Sequence, residues 1–114
     1  MLSREMRLKR ETEFIEVYRK GKVYQIEPLR VYALPAREAK IGFVVPKRIG
    51  KAVFRNRLKR RLAAAVRQNL SLFENLHLIF RFEKPNLPDD FKELENLVKR
   101  IAGEIHGQSI DSPT

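Results

Sequence analysis

The order of periodicities along these 114 residues predicts an α+β fold: one domain in which helices cover a single sheet. Two observations carry this. The apolar spacing switches from helical to alternating, back to helical, to alternating and again to helical, which gives helix, two or three strands, helix, strand, helix. The composition is 43% hydrophobic with no repeat, low-complexity stretch or linker, so the chain has apolar surface for one core and no dividing point. The domain is expected over residues 1–107, with 108–114 a frayed tail.

The first helix is expected from about Lys9 to Lys20, where Phe14, Val17 and Tyr18 recur at helical spacing and Gly21 stands at the C-cap position. Strands follow over Val23 to Ile26 and Leu29 to Leu34, in which Leu29, Val31 and Ala33 alternate with Arg30, Tyr32 and Leu34; Pro28 marks a break between them. A third strand is expected over Lys40 to Val45, ended by Pro46. From about Lys51 to Leu70 the period is helical, with Phe54, Leu58, Leu62, Ala65, Val66 and Leu70 on one arc and Arg57, Arg60, Arg61 and Arg67 opposite. Leu76 to Phe82 alternates again. A last helix is expected from about Asp90 to Ile105, its buried side carrying Phe91, Leu94, Leu97, Val98, Ile101 and Ile105, and an acid at its start suits the helix dipole.

Charge is the strongest functional signal. The fifteen residues Lys47 to Arg61 hold eight Lys or Arg and no acid. From Ala39 to Phe73 there are ten basic residues and no acid, whereas the other 79 residues carry 14 of each sign, so the whole formal charge of +10 sits in one segment. Solvated helix faces interleave Glu to make i,i+4 pairs; a face without acids invites a polyanion, because neutralised phosphates release counterions. RNA or DNA is the expected partner. Arginine dominates the run, which favours bidentate phosphate contact. Asn56 reads equally well as a contact to a sugar or base edge and as a surface polar group in the first helical turn.

Other classes of function find little support. With no cysteine there is no disulfide framework, thiolate metal site or cysteine nucleophile, in keeping with a reducing cytoplasm. The apolar runs fall far short of the roughly 18 residues that span a bilayer, and the basic start MLSREMRLKR lacks the apolar block of a signal peptide. A soluble cytoplasmic protein without a membrane partner is expected. Gly50 and Lys51 are followed by Ala52, so no Walker loop forms and no nucleotide cofactor is expected. His77 and His106 lack ligand spacing, and the adjacent Asp89 and Asp90 suit a helix start better than a two-metal centre. No catalytic residue is assigned. Periodicity puts Phe14 in the core and leaves Tyr18 and Tyr32 open between core and base stacking.

The run from Ile41 to Leu62, IGFVVPKRIGKAVFRNRLKRRL, resembles the signature of the bacterial ribonuclease P protein subunit, a strand leading into K-K/R-x-G-x-A-V-x-R-N-R-x-K-R. Lys47, Arg48, Gly50, Ala52, Val53, Arg55, Asn56, Arg57, Lys59 and Arg60 match it. The likeness extends from about Leu8 to His106, with Phe14 and Tyr18 at the family's paired aromatic positions. It implies a mixed four-stranded sheet and a left-handed crossover carrying the basic helix, against the general right-handed rule, in a ribosomal-protein-like arrangement. It further implies an RNA-based endonuclease that removes 5′ leaders from precursor tRNA, with the catalytic centre and its Mg²⁺ ions in the RNA. By resemblance, Arg55, Asn56, Arg57, Lys59, Arg60 and Arg61 face RNA, with Lys47, Arg48 and Lys51 at the approach. Phe14, Tyr18 and Tyr32 line a cleft for the single-stranded leader. Departures from the pattern are His77-Leu78 in place of Asp-Tyr, Pro46 in place of a small polar residue, and Glu83 where relatives often carry Arg before Lys-Pro, here Lys84-Pro85. The alternative is a ribosomal-protein-like module that binds structured RNA with no processing role.

Overall fold

The structure, a computed structural model, describes residues 3–111, with side chains described through residue 107. Three helices, α1 (Glu11–Lys20), α2 (Ala52–Arg67) and α3 (Phe91–Asp111), accompany four strands, β1 (Lys22–Ile26), β2 (Leu29–Pro35), β3 (Lys40–Val44) and β4 (Leu76–Phe82). The sheet order is β1-β2-β4-β3; β1, β2 and β4 are antiparallel neighbours, and β3 runs parallel to β4. A parallel pair needs a crossover, and α2 supplies it. The α+β architecture read from the sequence is the one observed.

Strand alternation divides the sheet into two unlike faces. On the inner face Leu29, Val31, Ile41, Leu78, Phe80 and Phe82 meet Leu58, Leu62 and Val66 of α2 and Leu94, Val98 and Ile101 of α3 in the main core. On the outer face lies a smaller cluster, in which Val17 of α1 and Leu8 bury Ile79, with Phe14, Tyr18, Tyr32, Leu34 and Val44 half-buried around them. The chain before α1 follows the free edge of β3, where Arg7 bridges to Ile41 and the Leu8 N–H donates to the Ile41 carbonyl at 3.0 Å.

Several boundaries differ from expectation for local reasons. Gly21 follows α1, but its backbone is extended (φ −71°, ψ 151°) rather than left-handed. A Cβ there would stand 2.5 Å from the Val17 carbonyl and 3.2 Å from that of Ala33, so close approach requires the glycine. Leu70 leaves the α2 arc and starts a 3₁₀ turn, Leu70–Phe73, because the helix closes at Gln68. Phe91 is exposed at 44%, while Ala102, which was not expected inside, is buried. Helix α3 continues past Ile105 to Asp111, through the first residues of the tail expected to fray; 112–114 lie outside the described residues.

Candidate nucleic-acid interface

Helix α2 carries the basic run, and its apolar arc forces the run outward: Leu58, Leu62, Ala65 and Val66 are buried, whereas Asn56, Arg57, Arg60 and Arg67 are exposed. A 3₁₀ turn, Lys47–Ile49, leads into it with Lys47, Arg48 and Lys51 exposed and Ile49 buried as the anchor. Gly50 lies under the Phe54 ring, where a Cβ would be 2.7 Å from a ring carbon.

The cations divide by what they touch. Arg55 Nε donates to the Gly50 carbonyl at 2.9 Å, Arg61 donates to the Pro88 carbonyl, and Arg48 Nη1 donates to the Glu83 carbonyl at 3.0 Å. These three hold their own chain together. Lys47, Lys51, Arg57, Lys59 and Arg60 make no ion pair among the described residues. Their charge is left for an outside anion.

Helix α2 and strand β3 share a cleft with α1. Arg7, Leu8, Phe14, Ile41, Gly42, Phe43, Lys59 and Ala63 line a hollow of about 310 Å³ at the β3 edge, apolar at its floor and cationic where Arg7 and Lys59 stand. The Phe14 ring lies on Gly42, where a Cβ would be 2.7 Å from it, so Phe14 reaches the sheet without filling the hollow. Further along α1, Tyr18 and Tyr32 meet edge to face with centroids 4.7 Å apart. All three aromatic side chains are half-buried and pack against the buried cluster of Leu8, Val17 and Ile79, so Phe14 stands at the rim of that small core.

Sequence reasoning missed two features. Lys40 on β3 donates to Glu13 Oε2 at 2.9 Å, and the Lys9 and Arg10 N–H groups donate to Oε1 at 3.2 Å each. The Lys40 hydrogen bond, joined by those backbone bonds and opposed by desolvation, lowers the Glu13 carboxyl to about 2 and clips α1 to the sheet edge. Arg30 and Arg81 stand opposite each other on β2 and β4, which strand registration alone reveals. Among the described residues no group of three or more His, Asp or Glu side chains is placed to hold a metal ion, and no helix is long and apolar enough to cross a membrane.

The family profile described as Ribonuclease P matches residues 2–106. The ribonuclease P protein component of Roseiflexus castenholzii is 32% identical over 119 aligned positions, covering 98% of each chain. That of a Nitratiruptor species is 33% identical over 98 positions, covering 86% of this chain and 90% of its own. Among solved structures, the Staphylococcus aureus RNase P protein superposes with a TM-score of 0.76 at 21% identity, covering 88% of this chain and 94% of that one, a likeness of fold. A match along nearly the whole chain identifies this protein as belonging to the family of bacterial ribonuclease P protein components.

Proposed function

We propose that the chain, as one RNA-binding domain over residues 1–107, binds the catalytic RNA of ribonuclease P and the 5′ leader of precursor tRNA in the cytoplasm. The observation that carries this is the shared cleft: Phe14 of α1 and Lys59 of α2 line one hollow, so a stacking surface and an unpaired cationic surface adjoin. Arg57, Asn56 and Arg60, with Lys47 and Lys51 before them, take phosphates of structured RNA. Arg48, Arg55 and Arg61 shape this surface while keeping further donors for RNA, since one guanidinium carries five N–H groups.

Phe14, Tyr18 and Tyr32 receive the single-stranded leader. Base stacking on such side chains contributes about 1–3 kcal/mol per base without demanding a sequence. Mature tRNA lacks the leader, so stacking raises affinity for the substrate over the product, which is discrimination the catalytic RNA alone does not gain from this chain's rings. Mg²⁺ belongs to the RNA and substrate in this reading, and the described residues do not fit a resident site of their own. The basic surface lowers the Mg²⁺ needed for assembly by screening phosphates.

The test is cleavage of a 5′-labelled precursor tRNA at low Mg²⁺ by the protein alone, a bacterial catalytic RNA alone, and the two together. Cleavage at the mature 5′ end only in the mixture is the expected result. If the protein adds nothing to a well-folded RNA, the module that binds structured RNA without processing takes its place. Cleavage by the protein alone would put an active site in this chain.

A further inference from the structure

The outer face of the sheet does not end at the tyrosines. Tyr32 pairs with Ile79, and two residues further along both strands Arg30 pairs with Arg81, about 7 Å on at the rise of a β-strand. Side chains two apart share a face, so both arginines continue the surface on which Tyr18 and Tyr32 lie. Like charges directly opposite on neighbouring strands destabilise a sheet. Nothing in the local packing offsets them fully. Glu83, also two residues past Arg81, is the one acid paired with them among the described residues: its Oε2 lies 3.6 Å from Arg81 Nε and its Oε1 3.6 Å from Arg48 Nη2. Arg30 Nε donates at 2.9 Å to Gln25 Oε1, a neutral partner that orients the guanidinium without cancelling its charge. The next pair along, Lys84 Nζ with Glu27 Oε1 at 2.9 Å, is neutral by itself. Two guanidinium groups thus share one carboxylate while the third, Arg30, has only a neutral partner, and the row keeps an excess of positive charge beside an aromatic groove.

We propose that Arg30 and Arg81, with Arg48 beside them, seat a backbone phosphate of the single-stranded leader one step beyond the Tyr18 and Tyr32 rings, and that Glu83 sets how strongly they hold it. Glu83 competes with the phosphate for Arg81 and Arg48. It also keeps both side chains over the groove when no strand is bound. The row therefore reads leader length: a leader that ends at the rings does not reach it, and a longer one does. This rests on the leader reading of the aromatic groove, and the test separates the two.

Holoenzyme is assembled from the protein and a bacterial catalytic RNA, and binding is measured for precursor tRNAs whose leaders are lengthened one nucleotide at a time. Arg81→Ala is expected to leave leaders that stop at the rings unaffected and to weaken longer ones about 5-fold, the scale of one screened charge contact. For those longer leaders the logarithmic salt slope falls by about 0.7, one phosphate contact to a single strand. Glu83→Gln is expected to do the opposite, tightening longer leaders alone, and a gain of that kind does not arise from misfolding. Equal weakening at every length, mature tRNA included, would overturn the proposal and assign the row to the catalytic RNA. No length dependence in either variant, while Tyr32→Ala still abolishes the preference for precursor, would remove the phosphate seat and leave the aromatic groove standing. If Tyr32→Ala also leaves that preference intact, the leader reading fails and the proposal with it.

Discussion

The two faces of this sheet are built from the same strands and are covered to different extents. The inner face is closed by α2 and α3, of 16 and 21 residues, and Leu29, Val31, Leu78, Phe80 and Phe82 have no exposure at all. The outer face has only α1, of 10 residues, which is too short to cover it. Val17 of that helix and Ile79 beneath it are sealed, and around them Phe14, Tyr18, Tyr32 and Val44 are half-buried, followed by Arg30 and Arg81. A sheet sealed on one side supplies stability, and the half-covered side offers the surface proposed to hold the leader on a rigid floor. Substitutions on the inner face should change folding, and those on the outer face should change binding.

The largest expected effect is on the inner face. Phe80 stacks on Phe43 with centroids 5.5 Å apart and meets Phe73 edge to face at 5.9 Å. Phe80→Ala leaves a cavity in the main core and is expected to cost about 3–5 kcal/mol of stability, read by denaturant unfolding. Tyr32→Ala, one strand away on the outer face, is expected to lose about 1–3 kcal/mol of precursor affinity, the contribution of one stacked base, with mature tRNA binding unchanged. Equal losses on both substrates would break the division between the faces.

Within the basic run the same contrast separates arginines. Arg57 and Arg60 touch no acid among the described residues, whereas Arg61 ties α2 to the loop before α3 through the Pro88 carbonyl. Arg57→Ala and Arg60→Ala are each expected to flatten the salt dependence of catalytic RNA binding by about 0.9, with stability shifts within about 0.5 kcal/mol. Arg61→Ala is expected to lower thermal stability more than either. A melting temperature unmoved by Arg61→Ala would put that side chain with the RNA-facing group.

Much of this was legible from the chain because alternation and helical period are local. Leu76 to Phe82 reads as a strand with Leu78 and Phe80 inward, and the structure agrees. What alternation does not say is whether the other face is covered: Ile79 sits among His77 and Arg81 on the nominally polar side yet is fully buried, because α1 returns over it. The basic surface was legible because ten cations without an acid need no three-dimensional information. Which of them are already engaged was not, since Arg61 with Pro88 and Arg48 with Glu83 join residues 27 and 35 apart. Arg30 and Arg81 were hidden for the same reason: each is one cation in an ordinary strand until registration sets them opposite. Likewise the start of the chain, read only for its lack of a signal peptide, supplies Arg7 to the cleft.

The smallest effect tests what holds α1 in place on the outer face. Apart from Val17 and its neighbours, α1 is clipped to the β3 edge by Glu13 and Lys40, both about four-fifths buried. The folded-state carboxyl lies near 2, below its ordinary 4.5, so the pair's stabilisation is fully present above pH 4.5 and is lost as pH falls toward 2. After solvent screening it amounts to about 1 kcal/mol. Wild type and Glu13→Gln are expected to differ by that amount in unfolding free energy at neutral pH and to converge across that acidic window. A difference that persists unchanged to the acid end would mean that glutamine fails in shape rather than charge, and would leave the sealed patch around Val17 as the whole attachment of α1.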